Sequence, residues 1–234
     1  PAAQFGFLPL ITGTLWVSLF AILFALPFGL SVSIYMSEVA NPKMRNWLKP
    51  IIELLSGIPS VVYGFFGLIV NVPLIQKVFD LPVGESGLAG SIVLAIMALP
   101  TIITVTEDAM RNCPRAMREA SLALGASQWQ TIYKVVIPYS ISGITSGVVL
   151  GIGRAIGETM AVLMVTGNAA VIPTTILEPL RTIPATIAAE LGEAPAGGPH
   201  YQALFLLGVV LFFITLIINF SVEYISSKGV KRSK

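Results

Sequence analysis

Arg154 and Glu158 lie within GIGRAIGETMAV, residues 151–162, in one of the most apolar stretches of the chain. If this stretch crosses a bilayer, each ionisable group costs roughly 3 kcal/mol to insert, so such residues usually serve a function. Arginine presents a planar, permanently charged fork that matches the oxygens of a tetrahedral oxyanion. The two residues therefore indicate a path for an anion. The alternative is an internal ion pair that only fixes helix packing.

The carboxylate of Glu158, close to Arg154 in the sequence, helps to distinguish which anion the path would accept. Near neutral pH, phosphate still carries at least one proton, so it can donate a hydrogen bond to Glu158, whereas sulfate carries none. On this hypothesis Glu158 neutralises Arg154 in the resting state until phosphate displaces it. The pair therefore favours phosphate as the transported ion.

A ridge of glycines precedes the charged pair on the same predicted helix. At about 100° per residue, an arc of about 80° contains Gly143, Gly147, Gly151, Arg154 and Glu158. Glycines four residues apart allow another helix to approach closely. Side chains at i and i+4 can also reach each other. We therefore expect one helix face on which a packing ridge continues into an ion pair.

The composition places these residues in a membrane protein. Hydrophobic residues make up 55% of the chain and charged residues 11%, with a mean hydropathy of +0.84. A soluble domain carries about 25% charged residues. Stretches of about 20 apolar residues cross a bilayer as helices. The alternation of apolar and polar residues at period two that would indicate a β-barrel is absent from the sequence. We predict an all-α integral membrane fold with five spans, at residues 10–35, 51–75, 88–106, 138–165 and 203–222.

The basic residues indicate how the spans are oriented. Most of the 14 lysines and arginines fall in residues 37–49, in residues 107–137 and in the tail after Val222. Lysine and arginine mark the cytoplasmic side of a membrane protein. The C-terminus is therefore predicted to be cytoplasmic and Pro1 external. An external start predicts one further upstream span, absent from this sequence, which would make six.

The polar interval at residues 107–137 is predicted to be a structured helix–turn–helix. Pro114 is tolerated in a first helical turn, and Gly125 is typical of the position just past a helix end. Ser127 and Gln130 match a capping box, in which the serine accepts from an early backbone N–H and the glutamine reaches back. The alternative is an ordered loop without regular helices.

This interval resembles the EAA loop of ABC importer permeases. The residues that carry the resemblance are Glu119, Ala120, Ser121, Gly125, Val135, Ile137 and Pro138. Ser121 stands where the family has a second alanine, and Val135 and Ile137 replace the usual isoleucine and leucine. The resemblance implies that the interval is a coupling helix that docks into a cleft of a separate ATPase subunit.

Two longer motifs narrow the resemblance to permeases of the phosphate-specific ABC importer, the PstC type more than the PstA type. They are GRAIGETMAV at residues 153–162 and IELLSGIPSVVYGFFGL at residues 52–68. The resemblance implies one permease domain over residues 1–234, with a six-helix core, in a prokaryotic cell membrane. It also implies that Arg154 and Glu158 lie in the transport pathway.

The same resemblance implies the surroundings of the chain. It implies a PstA-like second permease subunit, two copies of an ATPase subunit and an external phosphate-binding protein, all at a lipid bilayer. ATP and magnesium would bind to the ATPase, while this chain would bind no cofactor and no nucleic acid. Glu53 lies in the second motif. It is either a pathway residue or an acid that a helix N-terminus favours.

Residues 167–202 form a long segment, rich in proline and glycine, that we assign to the outer side. Residues 184–191 are predicted to form a short helix with Thr182 or Ile183 near its cap. A loop this long is usually functional or disordered. We favour an outer gate and docking surface for the binding protein over a merely solvated loop. His200 has no partner at metal-ligand spacing and is interpreted as a loop histidine.

Sequence signals of an enzyme are missing. No G-x-x-x-x-G-K-[ST] segment is available to hold ATP phosphates, and neither H-E-x-x-H nor G-x-S-x-G occurs. The chain is therefore not expected to be an enzyme, and no metal site is predicted. Two alternatives to a phosphate importer remain. One is an ABC importer permease for another oxyanion, and the other is a proton-coupled secondary transporter in which Glu158 titrates.

Overall fold

The computed structural model describes residues 6–232, with the side chains of the last helix described through Tyr224. The external position predicted for Pro1 and the basic side chains of the tail lie outside the described residues. The helices are α1 (Leu8–Ile34), α2 (Pro42–Gly57), α3 (Ser60–Phe66), α4 (Val72–Val78), α5 (Gly87–Arg111), α6 (Arg115–Ala123), α7 (Gln128–Thr131), α8 (Ile137–Gly157), α9 (Met160–Val165), α10 (Ile183–Glu190) and α11 (Pro199–Arg232).

The predicted all-α class is confirmed. Three π-helical turns join consecutive helices, at Tyr35–Val39, Gly67–Asn71 and Ile132–Val136. Five helical stretches are long and apolar enough to cross a membrane, as the hydropathy pattern predicted: Leu8–Val39, Ser60–Val78, Gly87–Arg111, Gln128–Gly157 and Pro199–Tyr224. The number and order of the spans therefore follow the sequence, although the helices extend a few residues beyond the predicted ranges of the first, third and fifth spans and the second and fourth spans differ more.

The second span begins later than predicted. The prediction placed it at residues 51–75, but α2 ends at Gly57 and a separate helix begins at Ser60. Pro59 stands between them in an extended conformation, with φ −58° and ψ 140°. Proline lacks the N–H that a continuous helix needs and disfavours helix in the residue before it. The apolar residues before Pro59 therefore belong to α2.

The fourth span also differs from its predicted range of residues 138–165. Its helical stretch begins at Gln128, ends at Gly157 and is followed by the short α9. Glu158 and Thr159 form the break between α8 and α9. The prediction of one continuous helix that includes Glu158 is therefore wrong.

The chain divides into two compact units. Of the described residues, the first comprises 6–24, 58–98 and 152–217. A buried cluster in this unit joins α3, α5 and α9 through Tyr63, Val93, Ala161 and Val165. The close approach of α3 to α9 depends on Gly64, because a Cβ added there would lie 2.9 Å from the Cα of Ala161. Only glycine fits this contact without a shift of the backbone.

The second unit comprises residues 25–57, 99–151 and 218–234. In this unit α8 lies close to α5 along three glycines. A Cβ added to Gly143 would collide with Ala109, and one added to Gly147 would meet the same helix. A Cβ added to Gly151 would lie 2.6 Å from Cγ1 of Ile102. The predicted glycine ridge therefore lies at a helix contact.

The interval after α5 has the local structure that its sequence predicts. Pro114 immediately precedes the first residue of α6, and Gly125 has the left-handed φ of +83° that ends this helix. The Ser127 hydroxyl accepts from Gln130 N at 3.3 Å, and the Gln130 side chain accepts from Ser127 N at 2.8 Å. The helix–turn–helix and its capping box are therefore confirmed.

The segment between α9 and α11 carries the predicted short helix. Helix α10 spans Ile183–Glu190 and has Thr182 at its N-cap position and Pro184 in its first turn. Upstream, Leu180 N donates to Thr166 O at 2.9 Å. A proline in the first turn costs no helical hydrogen bond, since the N–H there has no partner within the helix.

Candidate functional site

The break after α8 determines the surroundings of Glu158. Its Oε1 accepts a hydrogen bond from Ala161 N at 3.3 Å, in the first turn of α9. Arg154 lies in the last turn of α8, and both side chains are half-buried. The spacing of i and i+4 on one helix, which predicted an ion pair, therefore does not apply. Instead, the carboxylate lies at the junction of two helices, four residues from the guanidinium along the chain.

Tyr63 is a further residue near this junction, and no sequence pattern marked it as a site residue. Tyr63 is 9% exposed and packs in a buried cluster with Ala161 of α9. Both residues belong to the first unit. The structure thus brings α3, from the motif at residues 52–68, beside α9, from the motif at residues 153–162. The only available signal was that Tyr63 falls inside the first motif.

The residues of the EAA-like loop lie mainly on the surface of α6 and its turn. Glu119, Ala120 and Gly125 are exposed, whereas Ser121 is half-buried and its Oγ lies 2.9 Å from Thr131 Oγ1. Large apolar side chains are exposed around them, at Met117, Leu122, Leu124, Trp129 and Tyr133. This surface combines a rigid turn with exposed apolar side chains, as expected of a docking element.

An acidic residue outside the loop holds α6 in place. Arg118 Nη2 donates to Glu38 Oε1 at 2.9 Å and to the Met110 carbonyl at 2.8 Å. Gln128 Nε2 donates to the backbone carbonyl of Glu38 at 3.1 Å. Glu38 lies in the π-helical turn after α1, 80 residues before Arg118. Sequence spacing gave no signal for this contact.

A buried carboxylate near the end of α5 was also missed. The Glu107 side chain is 1% exposed and binds Arg45 Nε at 2.7 Å and Lys49 Nζ at 2.9 Å. Lys49 also lies 2.6 Å from Asp108. Burial by itself lowers the pKa of Lys49, but the hydrogen bonds to Asp108 and Glu107 outweigh it and raise the pKa above its ordinary value. The sequence analysis used these cations only as markers of orientation.

Glu53 does not lie at the N-terminus of a helix, as one of its two interpretations required. It is exposed and stands in the C-terminal half of α2. Because the positive end of the dipole is at the first turn, the interpretation as a helix N-terminal acid is wrong. A role for Glu53 in the pathway stays a prediction.

His200 is not a loop histidine. It lies in the first turn of α11, and its Nε2 is 3.3 Å from Glu190 Oε2. Arg181 contacts the same carboxylate, with Nη1 2.6 Å from Oε1. These three side chains line a cavity of about 170 Å³. Among the described residues, no three His, Cys, Asp or Glu side chains are placed to hold a metal ion.

Comparison with known proteins places these features in a family. A family model described as "Binding-protein-dependent transport system inner membrane component" matches residues 25–230. The chain is 41% identical to a probable ABC transporter permease protein, YqgH of Bacillus subtilis, over 96% of this chain and 73% of that protein. It is 38% identical to the phosphate transport system permease protein PstC of Mesorhizobium japonicum, over 92% of this chain and 71% of that protein.

Solved structures with the same fold include chains of two transporters. The chain superposes on a chain of the MetNI methionine ABC transporter in inward-facing conformations with a TM-score of 0.71, at 20% identity, covering 94% and 96% of the two chains. For a bacterial ABC transporter involved in import of the acidic polysaccharide alginate, the TM-score is 0.69 at 18% identity, with coverage of 97% and 80%. At these identities the similarity concerns the fold alone.

Proposed function

The chain belongs to the family of binding-protein-dependent transport system inner membrane components, and we propose that it is the membrane-spanning permease subunit of an ATP-driven phosphate importer. The family is one of transport permease components rather than enzymes. Its members work with an ATPase and a binding protein. The proposal for this chain adds phosphate as the substrate and a PstA-like chain as the second permease subunit.

The observation that carries the proposal is the junction of α8 and α9. The permanently charged Arg154 lies there in the last turn of α8, four residues along the chain from the carboxylate acceptor Glu158. The buried Tyr63 packs in a cluster with Ala161 of α9. Phosphate needs both kinds of partner, because its oxygens accept from a guanidinium or a hydroxyl and its remaining proton needs an acceptor. Fully deprotonated sulfate would leave the carboxylate facing an anion without a proton between them.

The energy for transport comes from ATP hydrolysis by a separate ATPase subunit. The exposed face of α6 and its turn, with Glu119, Ala120 and Gly125, is the surface for the ATPase, which holds ATP and magnesium. We assign this interval and the C-terminus to the cytoplasmic side of a prokaryotic cell membrane, because most basic residues fall there. The segment at residues 167–202 is then external and receives the phosphate-binding protein.

Transport proceeds by alternating access. Closure of the ATPases on ATP draws the coupling helices of the two permease subunits together, and the helices around the anion site rock so that it opens to one side and then to the other. Arg154 supplies the cationic contact for arriving phosphate, and Glu158 accepts the hydrogen bond of the proton that phosphate still carries. Glu53 is proposed as a further polar residue of the path.

Phosphate uptake by cells lacking their own permease subunit tests this function. With the partner subunits present, Arg154→Ala should reduce uptake of labelled phosphate to background, and Glu158→Gln should reduce it several-fold. Lys77→Ala is the control, since Lys77 is an exposed cation on α4, away from the proposed coupling surface, and it should leave uptake nearly unchanged. Normal uptake by a well-expressed Arg154→Ala variant would overturn the proposal.

Two further measurements separate the alternatives. Sulfate or another oxyanion, offered under the same conditions, should not be taken up in place of phosphate. A proton-coupled secondary transporter would move phosphate in vesicles that contain this chain alone, on a proton gradient. The importer should require the ATPase and ATP.

A further inference from the structure

Helix α2 has one face that is fixed to the rest of its unit. The partly buried residues of this helix recur at helical spacing, at Arg45, Leu48, Lys49 and Ile52. Two of them hold Glu107 of α5, Arg45 at 2.7 Å and Lys49 at 2.9 Å. Because Glu107 is 1% exposed, these ion pairs set the rotation of α2 about its axis. The other faces of the helix therefore point away from α5.

A second face of α2 is apolar and exposed. Its residues are spaced three, four and three apart and fall within an arc of about 80°. Their exposed fractions are 45% for Met44, 69% for Trp47, 37% for Ile51 and 72% for Leu54. Side chains of this size are usually covered by protein or lipid when they form a continuous stripe.

The third face is polar and equally exposed. It carries Lys43, Asn46 and Glu53, which also fall within an arc of about 80°. In the core of a bilayer a charged side chain costs roughly 3 kcal/mol, so this face excludes a position within the hydrocarbon. The apolar stripe equally disfavours a helix surrounded by water. Both faces are satisfied together only at a boundary between water and an apolar medium.

The chain places α2 at such a boundary. Two residues separate Val39, where the first candidate span ends, from Pro42, and two residues separate Gly57 from Ser60, where the next span begins. Two residues span only about 7 Å when extended. Both ends of α2 are therefore tied to the ends of membrane spans, although α2 itself is not among the five candidate spans.

We propose that α2 lies in the plane of the membrane interface, with the stripe of Met44, Trp47, Ile51 and Leu54 inserted between lipid headgroups and acyl chains. A helix with a strongly polar face, an opposed apolar face and low net hydrophobicity binds in this way, about 5–10 Å into the boundary. Leu54 marks the edge of the stripe nearest the polar face, and Trp47 lies about 20° inside that edge. Tryptophan favours the headgroup level. The occupant of the stripe is the lipid of the bilayer itself.

Adjacent spin labels at positions 53 and 54 test the proposal directly. The labels are attached in the variants Glu53→Cys and Leu54→Cys, whose side chains point about 100° apart on the same helical turn. Cys113 is buried and is replaced by alanine. With the assembled transporter in lipid vesicles, collision with oxygen reports the acyl region, and collision with a water-soluble nickel chelate reports water. The ratio of oxygen to nickel accessibility should be several-fold higher at position 54 than at position 53.

Two results would overturn the proposal. Equal nickel access at both positions would place the stripe in water. A label at position 54 that is immobilised and shielded from both reagents would mean that a protein, such as the second permease subunit, covers the stripe. Position 53 is the matched control, since it reports whether the labelled chain has assembled with its polar face in water.

Trp47 gives a second measurement without a cysteine. In the Trp16→Phe, Trp129→Phe variant Trp47 is the only tryptophan left of the three in the sequence. Lipids brominated near the headgroup end of the chain should quench its fluorescence more strongly than lipids brominated near the chain end. If neither brominated lipid quenched the fluorescence of Trp47, insertion of the stripe would be contradicted. Neither readout involves transport, so the result does not depend on phosphate being the substrate.

Discussion

Arg118 of the coupling interval donates to Glu38 at 2.9 Å, across 80 residues of sequence. The pair lies largely inside its unit, with the Arg118 and Glu38 side chains 24% and 8% exposed. It ties α6, whose exposed face is proposed to meet the ATPase, to the π-helical turn after α1. A movement imposed on α6 therefore reaches the end of a membrane span through one charged contact.

We expect Glu38→Ala to uncouple ATP hydrolysis from transport. Removal of one partner of a largely buried ion pair costs about 3–5 kcal/mol of local stability, so α6 would move without drawing α1 along. ATP hydrolysis by the purified complex should persist, while phosphate uptake per ATP falls several-fold. Glu38→Arg combined with Arg118→Glu should recover part of the coupling. Loss of assembly in the single variant, with no recovery in the double variant, would indicate a purely structural role.

Glu107→Ala should destabilise the protein by about 3–5 kcal/mol, because it leaves Arg45 and Lys49 without their buried acceptor. Thermal unfolding in detergent, followed by fluorescence, measures this loss. The control is Asp108→Asn in the next residue, whose side chain is 53% exposed. Its contact with Lys49 should be worth only about 0–1 kcal/mol. Equal losses for the two variants would contradict the assignment of Glu107 as the buried centre.

The stability of the protein should depend on Lys49 at alkaline pH. Its pKa is raised in the folded protein, so the folded state holds the Lys49 proton more tightly than the unfolded chain does. The stabilisation is fully present below the ordinary pKa of 10.5 and is lost as the pH rises through the folded value. The difference in unfolding temperature between the wild type and Lys49→Met should therefore shrink above about pH 10.5. A constant difference would rule this linkage out.

Gly151→Leu should weaken the packing of α8 on α5. An added side chain would meet Ile102 within 2.6 Å of its Cβ position, and overpacking of this kind costs about 1–3 kcal/mol. Gly153→Ala is the control, because nothing lies within 4 Å of a Cβ at Gly153. Alanine there should stabilise α8 by about 0.5–1 kcal/mol. The yield of folded protein from detergent-solubilised membranes distinguishes the two variants, and the reverse order would contradict the observed packing.

Tyr63→Phe should impair phosphate transport without loss of folded protein. Phenylalanine keeps the packing of the ring in the cluster with Val93 and Ala161 but removes the hydroxyl. A hydroxyl that contacts the anion should raise the KM for phosphate several-fold with little change in the maximal rate. Tyr139→Phe, at an exposed position on α8, should leave both parameters unchanged. An unchanged KM in Tyr63→Phe would remove Tyr63 from the proposed path.

Local sequence signals determined a large part of the fold. The five spans follow from apolar runs, and the helix–turn–helix follows from Pro114, Gly125 and the Ser127–Gln130 capping box. Each of these signals acts within a few residues, because a cap or a turn satisfies backbone groups of its own neighbours. The short helix α10 was predictable for the same reason. The family resemblance likewise rested on contiguous motifs.

Only the tertiary structure decided which polar groups meet. The buried Glu107 joins Arg45 and Lys49 across 62 and 58 residues, and no local pattern records such a partner. The break at Glu158 separates α8 from α9, which packs against α3 at Gly64 and Ala161, so helical periodicity alone extended α8 too far. Local hydrogen bonds are determined by residues that are adjacent in the sequence, whereas long-range contacts depend on the packing of whole helices.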